Sequence, residues 1–194
     1  MHTEVGDMAD GGFDSRAFRN ALGRFSTGVT VVTTAVNGGI HGMTANAFTS
    51  ASLDPPLVLL SIGRQARMHA HLLQGTRFGV SVLSQDQLGY AWHFAGRAQE
   101  GWQPAFTWRG EVPLVAEALA QFVCTVETSY PGGDHTLFLG RVEDLWHRDG
   151  SPLTFYRGHF FGLIPLPAGL WMPAAEATGE VDEGAEISLF EPWW

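Results

Sequence analysis

Runs of apolar and β-branched residues, broken by turn residues, predict a chain built mostly from β-strands. VTVVTTAV (29–36), LVLLSI (57–62) and RFGVSVLS each have the length and composition of a strand. Between the first two, NGG predicts a hairpin turn, because Asn and Gly tolerate a positive φ. ALAQFVCTVET and HTLFLGRVEDLWH are predicted to be strands on either side of the turn at YPGGD. Many antiparallel strands and few helices favour a closed or nearly closed β-barrel.

Three shorter stretches predict helices. FDSRAFRNALGRF has apolar residues at helical spacing, with Asp14 as the predicted N-cap. RMHAHLL and QDQLGYAWHFAG are the other two predicted helices. In ALAQFVCTVET, apolar and polar positions alternate, which predicts a half-buried strand with Gln121, Thr125 and Glu127 on the face opposite Cys124.

Composition excludes several classes of function. The 194 residues are 45% hydrophobic and 16% charged, so the chain can bury a core. The formal net charge is −9, and all 11 cations are Arg, which excludes a Schiff-base lysine and a Walker-type phosphate loop. Six acids follow the last cation, Arg157, so the rest of the chain is only mildly acidic. Without clustered Lys and Arg, nucleic acid is not an expected partner.

Cysteine content and hydropathy predict a cytoplasmic protein. Cys124 is the single cysteine, which excludes an intramolecular disulfide and fits a reducing compartment. The N-terminal MHTEVGDMADGG is polar and acidic, unlike a signal peptide. No apolar run approaches the roughly 20 residues of a membrane helix, so no membrane partner is expected.

Local motifs for nucleophilic catalysis or metal binding are not found. The alternation places Cys124 on the inward face of its strand, so a buried structural thiol is expected. His69 and His71 are two residues apart in a predicted helix, a spacing that does not put both on one face, so no metal site is expected. No carboxylate pair or Ser/His/Asp set has a recognisable spacing, so a hydrolase is not supported.

Two stretches remain to be explained. GMTANAFTSASLDPP (42–56) is small, hydroxyl-rich and uncharged up to Asp54, and GGDHTLFLGRVE (132–143) brings His135 to the start of a strand. Small side chains let a ligand approach the backbone closely. By itself the first stretch is either an ordinary loop or the wall of a site for a large polar ring. The second by itself is a hairpin turn with a surface histidine.

Six motifs together carry a family resemblance. In order they are FRNALGRFSTGVTVVTT, GMTANAFTSASLDPPLVLLSIGRQAR, RFGVSVLS, FAGR, GDHTLFLGRVE and LTFYRGHF. From about Phe13 to Gly162 the chain resembles the flavin reductase family with the FMN-binding split-barrel fold, the small reductase component of two-component flavin monooxygenases. The resemblance implies a mainly β, antiparallel split barrel with a few flanking helices at 13–163. This domain would lie between a mobile leader at 1–12 and an acidic C-terminal extension at 164–194.

The resemblance also implies roles for individual residues. The segment along the isoalloxazine ring and ribityl chain would comprise Ile40, His41, Gly42, Met43, Thr44, Ala45, Asn46 and Ala47, with hydrogen bonds from Thr44 and Asn46. Ser61, Ile62 and Gly63 would line the flavin, Arg67 would reach its phosphate with Met68 beside it, and His93 and Phe94 would lie near it. Catalytic His135 would contact the nicotinamide, as would Phe155, Tyr156, Arg157 and Gly158. Many relatives have Ser-Ser-Arg-Thr where this chain has Gln65, Ala66, Arg67 and Met68, so two phosphate-binding hydroxyls are absent.

The activity that the resemblance implies is hydride transfer from NAD(P)H to FMN or FAD. Reduced flavin would then reach a separate flavin-dependent oxygenase by diffusion, and the reductase would be a homodimer. NADH is expected, because no cluster of Arg is seen for the 2′-phosphate of NADPH. Two alternatives share the fold: a flavin- or heme-binding protein without turnover, and a pyridoxamine-phosphate-oxidase-like oxidase. The apolar end ISLFEPWW is expected to dock on the barrel or on a partner subunit.

Overall fold

A seven-stranded antiparallel sheet forms the body of the computed structural model, which describes residues 14–73 and 77–164. Apart from Ile164, these residues belong to the first of the two units into which the chain divides, Met1–Leu163. The predicted leader at 1–12 and the predicted docking of the C-terminal end lie outside the described residues.

Most elements lie where the sequence predicts them. The described helices are α1 (Ser15–Leu22), α2 (Arg67–Leu73) and α3 (Leu88–Phe94), the last preceded by a 3-10 turn at Gln85–Gln87. The described strands are β1 (Thr27–Gly28), β2 (Thr30–Val36), β3 (Gly39–Ala45), β4 (Phe48–Leu53), β5 (Pro56–Gly63), β6 (Arg77–Val82), β7 (Phe106–Arg109), β8 (Val112–Val115), β9 (Ala120–Gly132), β10 (His135–His147), β11 (Leu153–Tyr156) and β12 (His159–Gly162). The predicted N-cap is confirmed, because the Asp14 carboxylate accepts a hydrogen bond from the backbone N–H of Arg16 at 2.8 Å.

The order of the strands closes the large sheet into a barrel. The order is β3-β2-β6-β9-β10-β5-β4, so the two edge strands are consecutive in sequence. Only Asn46 and Ala47 separate them, and the backbone N–H of Ser61 in β5 donates to the carbonyl of Ala47 at 3.1 Å. The sheet must therefore curve until its edges meet, which confirms the predicted antiparallel barrel. A separate sheet, β1-β11-β12, and the hairpin β7-β8 lie beside it among the described residues.

The barrel interior is filled by apolar side chains that alternate along the strands. Leu60, Ile62, Phe78, Val80 and Phe138 are each buried in one cluster, and α2 adds Met68 and Leu72 to it. Full burial of such side chains contributes about 1.5–3 kcal/mol each. Because α2 packs into this cluster, the position of α2 depends on how the barrel strands pack.

Strand β9 departs from the predicted half-buried pattern. Gln121, predicted on the face opposite Cys124, is buried, and so is Val123, two residues further along the strand. The hairpin β7-β8 covers that face, since Val123 packs with Val112 and Leu114, and the Gln121 amide donates to the carbonyl of Val115 at 2.7 Å. Period-two alternation identifies the inner face of a strand, but it does not reveal a second layer packed outside.

The polar stretch from Gly42 to Pro56 belongs mostly to β-strands. Residues 42–45 complete β3, and 48–53 form β4, so its hydroxyls line a barrel edge rather than a free loop. The predicted hairpin turn that precedes β3 is confirmed by positive φ angles of 51° at Asn37 and 79° at Gly38. Within the described ranges, no helix combines the length and the apolar character that a membrane crossing requires.

Candidate active site

An open cavity of about 400 Å³ lies where β3, α3 and the β11-β12 hairpin meet. Five of the residues that line it were predicted from the sequence: Thr44, Ala45, Asn46, Phe155 and Gly158. Four others were not assigned a role: Val29, Trp92, Ala95 and Phe160. The last lining residue, Arg97, lies in the FAGR motif but was also not assigned one. The structure therefore brings the predicted flavin segment and the predicted nicotinamide segment into one space.

Helix α3 is held against the outer face of β3 by two contacts. The Thr44 hydroxyl donates to the carbonyl of Ala91 at 2.8 Å. The ring of Phe94 lies over Gly42, where any β-carbon would approach it to 2.5 Å. The Thr44 proton is thus engaged within the protein, which leaves its oxygen lone pairs and its backbone groups for a ligand. Only glycine fits beneath Phe94 at this position.

Aromatic side chains form one wall of the cavity. The rings of Trp92 and Phe160 are 5.0 Å apart between centroids, and the guanidinium of Arg97 lies 4.9 Å from the centre of the Trp92 ring. A cation over a tryptophan face is attracted by the ring quadrupole, so Trp92 holds Arg97 at the cavity edge. An aromatic, apolar wall beside one fixed positive charge suits a planar ring that carries phosphate nearby.

His93 is turned away from this wall into an aromatic cluster. Its ring lies 4.8 Å from that of Phe94 and 5.3 Å from that of Trp102, centroid to centroid. Its Nδ1 is buried without a hydrogen-bond partner among the described residues. A buried polar atom without a hydrogen bond destabilises the fold, and a ligand or a water molecule often supplies the missing bond. Trp102 was not among the site residues predicted from the sequence.

A second group of predicted residues lies between the short link from β3 to β4 and the start of β10. Ser61 is tied to Ala47 by the backbone bond at the corner, and Gly63 pairs with His135 across the sheet. A β-carbon placed on Gly63 would lie 3.7 Å from Nε2 of His135, so the imidazole lies beside the Gly63 backbone. The structure therefore joins the predicted flavin residues of β5 to the predicted catalytic histidine.

The imidazole of His135 is oriented by its neighbour. Its Nδ1 lies 2.7 Å from Oδ1 of Asp134, and the hydrogen bond to His135 lowers the pKa of that carboxyl. A carboxylate at Nδ1 keeps the proton of a neutral imidazole on that nitrogen, which leaves Nε2 as an acceptor. Both side chains are exposed, so the pair is open to a ligand.

A third group lies at α2 and the middle of β3. The rings of His41 and His71 meet edge to face with centroids 4.7 Å apart. Burial, then the charges of His71 and Arg67, lower the pKa of His41. Arg67 itself is exposed. In the sequence, His71 was considered only as a metal ligand. Among the described residues, no group of three or more His, Cys, Asp or Glu side chains could hold a metal ion.

Some predicted contacts are not open in the structure. Ile62 and Met68 are each 1% exposed and belong to the barrel core, so they support the site from beneath. Met43 also packs against that core. Inward and outward positions alternate along β3 and β5, and a contiguous predicted segment therefore contains residues of both kinds.

The turn between β11 and β12 carries the remaining predicted residues. Arg157 has a φ of 50°, and its backbone N–H donates to the carbonyl of Gly23 at 3.0 Å, just after α1. The Tyr156 ring packs near that of Phe161, with centroids 6.3 Å apart. The turn is therefore fixed relative to α1 and presents Gly158 to the cavity.

Comparison with known proteins agrees with this geometry. Residues 22–163 match the family described as Flavin reductase like domain. An NADH-dependent flavin reductase of Rhodococcus sp is 53% identical over 148 residues, which are 75% of this chain and 84% of that protein. The solved structure of flavin reductase PheA2 in its native state aligns with a TM-score of 0.76 and 46% identity, over 79% of this chain and all (100%) of the other. The styrene monooxygenase flavin reductase SMOB from Pseudomonas putida S12 aligns with a TM-score of 0.72 and 42% identity, over 77% and 98% of the two chains.

Proposed function

Because this chain belongs to the flavin reductase-like family, we propose that it transfers a hydride from NADH to FMN or FAD and delivers the reduced flavin to a separate oxygenase. The observation that carries the proposal is the shared cavity, which Thr44, Asn46, Phe155 and Gly158 line together. Hydride transfer needs two stacked rings with the reacting atoms about 3–3.5 Å apart. A single space bounded by both predicted binding segments meets that need.

The residues present fit a flavin. The cavity of about 400 Å³ has an apolar wall of Val29, Trp92 and Phe160, with the Asn46 amide at its edge. Ligand pockets commonly combine an apolar wall with a few placed polar groups in this way. When bound, the flavin accepts the hydride of the nicotinamide and carries both electrons to the oxygenase.

The chain itself contributes binding and orientation. Asn46 would hold the edge of the flavin ring, and the contact between Phe94 and Gly42 would hold α3 in place behind that ring. His135, oriented by Asp134, would place an Nε2 acceptor beside the incoming nicotinamide. These roles need no nucleophile or general base, which fits the absence of a catalytic motif in the sequence.

Steady-state assays with free flavin test the proposal. Catalytic amounts of protein are mixed with NADH and excess FMN or FAD, and the loss of the NADH absorbance band is followed. We expect many turnovers per protein molecule, and a lower rate with NADPH. Asn46→Ala should raise the KM for flavin, while His147→Gln, on an exposed strand end, should not. Flavin binding without NADH oxidation would instead support a binding protein without turnover.

We also propose that the protein is a homodimer whose domain spans residues 13–163. The family match over 22–163 supports these bounds. Helix α1 has no buried residue within the described chain, and Leu22 and Phe25 are 56% and 76% exposed. Exposed apolar side chains on one short segment suit a symmetric interface between two copies. Light scattering should give twice the chain mass, and Phe25→Glu should shift it to that of one chain; a monomer with full activity would contradict the dimer.

A further inference from the structure

A second, smaller cavity lies outside the barrel, beside the β7-β8 hairpin and the end of β10. Its volume is about 170 Å³, and its lining includes Arg109, Glu117, Gln121, Trp146 and Arg148. None of its described lining residues also lines the cavity of the candidate active site. The two cavities are therefore separate, and the proposed hydride transfer leaves the second one unexplained.

Two neighbouring strands form the floor of this second cavity. Gln121 of β9 and Trp146 of β10 are register partners, so their side chains lie next to each other on the outer face of the sheet. The Trp146 ring packs against the apolar cluster beneath the hairpin, and the guanidinium of Arg109 lies 4.2 Å from the centre of that ring. The ring quadrupole attracts a cation in this position, so Arg109 is held over the floor.

Backbone carbonyls hold the guanidinium of Arg148 in place. Its Nε and Nη2 donate to the carbonyl of Glu117 at 3.0 and 2.6 Å, and its Nη1 donates to the carbonyl of Asp149 at 3.1 Å. Three of its five N–H groups are used in this way, which leaves two for a ligand. Glu117 has a left-handed φ of 56°, which is uncommon for a residue other than glycine, and it is the carbonyl of this residue that Arg148 binds.

The charges in the lining do not cancel. The three salt bridges within the described residues involve neither Arg109 nor Arg148. Glu117 is the one acid among the described lining residues, so two guanidinium groups face one carboxylate when the lining residue His147 is neutral. A ligand with a single negative charge would balance the cavity.

Gln121 adds a hydrogen-bond acceptor to this cationic lining. Its side chain is largely buried, since the residue is only 8% exposed, and its Nε2 donates to the carbonyl of Val115. Its Oε1 accepts no hydrogen bond within the described residues, yet that atom is not sealed inside the protein, so it is open to the cavity. A ligand that satisfies Gln121 must therefore bring an O–H or N–H donor as well as its negative charge.

The size and the polarity of the lining restrict the ligand to a short molecule. A volume of about 170 Å³ has room for roughly five or six water molecules at about 30 Å³ each. Ala118 is the one aliphatic residue in the described lining, and Arg109 covers a face of Trp146, so little apolar surface remains for a large ring or a long chain. A carboxylate matches the planar N–H fork of a guanidinium.

We propose that this cavity binds a short hydroxycarboxylate, whose carboxylate is bound by Arg109 and Arg148 and whose hydroxyl donates to Oε1 of Gln121. Such a ligand supplies the single charge and the O–H donor that the lining requires. A phosphate monoester carries about −1.5 to −2 charges at pH 7, which is more than the cavity balances. The site does not depend on the proposed function, because it shares no described lining residue with the active-site cavity.

Binding of lactate to the full chain, measured by calorimetry, tests the ligand class. Lactate has both the carboxylate and the hydroxyl, whereas propionate lacks the hydroxyl and lactamide lacks the charge. We expect saturable binding of one lactate per chain. Propionate should bind about three- to tenfold more weakly, and lactamide about 10- to 100-fold more weakly, because bonds to charged groups are the stronger ones. Inorganic phosphate should bind more weakly than lactate.

Variants of the lining test the position of the site. Arg109→Gln and, separately, Arg148→Gln should each weaken lactate binding about 10- to 100-fold. Arg141→Gln is the matched control, because it removes the same charge from β10 at an exposed position that is paired with Glu127, and lactate affinity should not change. Gln121→Leu should remove the preference for lactate over propionate while both acids still bind.

The two arginine variants also separate loss of the ligand from loss of the fold. Arg148 holds the Glu117 carbonyl, so its variant is checked by melting temperature, whereas Arg109 contacts only the Trp146 ring among the described residues. No saturable binding of lactate, or binding that neither arginine variant weakens, would overturn the site. Equal affinities for lactate and propionate, or tighter binding of phosphate than of lactate, would overturn the hydroxycarboxylate class.

Discussion

The ring of Phe94 covers Gly42 so closely that a β-carbon built on Gly42 would lie 2.5 Å from the Cδ1 and Cε1 atoms of the ring. This contact sets the distance between α3 and the outer face of β3. Together with the bond from Thr44 to Ala91, it fixes the aromatic wall beside the predicted flavin segment. The distance between α3 and β3 at the candidate site therefore depends on one glycine.

Gly42→Ala should destabilise the protein and weaken flavin binding, because Phe94 and α3 must move outward. Overpacking of this kind costs about 1–3 kcal/mol in free energy of unfolding. Gly39→Ala on the same strand is the matched control, since its β-carbon would meet only a backbone oxygen at 3.6 Å. The double variant Gly42→Ala/Phe94→Leu should recover part of the stability in chemical denaturation. Equal stability of the two alanine variants would show that α3 shifts without cost.

Helix α2 is tied to the start of β10 by a buried polar pair. The Nε2 of His69 and the Oγ1 of Thr136 are 2.7 Å apart, and the His69 ring packs edge to face on Phe138. Thr136→Val should leave the imidazole nitrogen without a partner, at a cost of about 1–3 kcal/mol in unfolding free energy. Thr49→Val, at an exposed position on β4, should change stability by less than about 0.5 kcal/mol. Similar effects of the two variants would mean that the pair contributes nothing.

The architecture could be predicted from the sequence because it follows from local signals. The β-branched runs, the Asn37–Gly38 turn and the Asp14 cap all act over a few residues, and each was found where expected. That Asn46 and Gly158 belong to one site was predicted only through the family resemblance. The structure places them beside one cavity, which local patterns could not have indicated for residues so far apart.

Other features depend on packing between segments that are far apart in sequence, and they were not predicted from the sequence. The burial of Gln121 arises from a hairpin laid over the outer face of its strand. Trp92 and Phe160 come together only when α3 meets β12, and His41 meets His71 only when α2 packs against β3. Arg97 had a usable signal, since it ends the FAGR motif, but its place over Trp92 required the fold.

His135→Ala should slow hydride transfer more than it weakens flavin binding. The residue lies at the start of β10 with Asp134 on its Nδ1, and its proposed contact is with the nicotinamide rather than with the flavin. Loss of one positioning contact costs about 10- to 100-fold in rate. Stopped-flow reduction by NADH and a separate flavin titration measure the two effects.

Asp134→Asn refines that test of His135, because it keeps the shape of the turn and removes the carboxylate. We expect a smaller loss of rate than in His135→Ala, and little change in flavin affinity. The hydrogen bond to His135 lowers the pKa of Asp134, so the carboxylate stays ionised through the usual carboxyl range, and its contribution is lost only as pH falls through that lowered pKa. An Asp134→Asn variant that loses flavin instead of rate would reassign this turn to the flavin.

Cys124 should make the protein less stable in alkaline solution. Burial, with a smaller effect from Glu143, raises the pKa of Cys124 to about 12. In the unfolded chain the thiol returns to a pKa of about 8.5. A raised pKa in the folded state means that the neutral thiol contributes stability fully below about pH 8.5, and that this is lost as pH rises toward 12. The slope approaches about 1.4 kcal/mol per pH unit above the unfolded pKa.

Denaturant titrations from about pH 7.5 to 10 test this, spanning the unfolded pKa of the thiol. The wild type should lose stability over the upper half of this range, and Cys124→Ala should lack that slope even if its stability at neutral pH is lower because of the cavity it creates. A thiol reagent gives the matching kinetic result. At pH 8 the native thiol stays almost entirely protonated, so labelling should proceed through unfolding and accelerate with denaturant. Rapid labelling of the native protein at pH 8, or an identical alkaline slope in Cys124→Ala, would show that the thiol is not held neutral by the core.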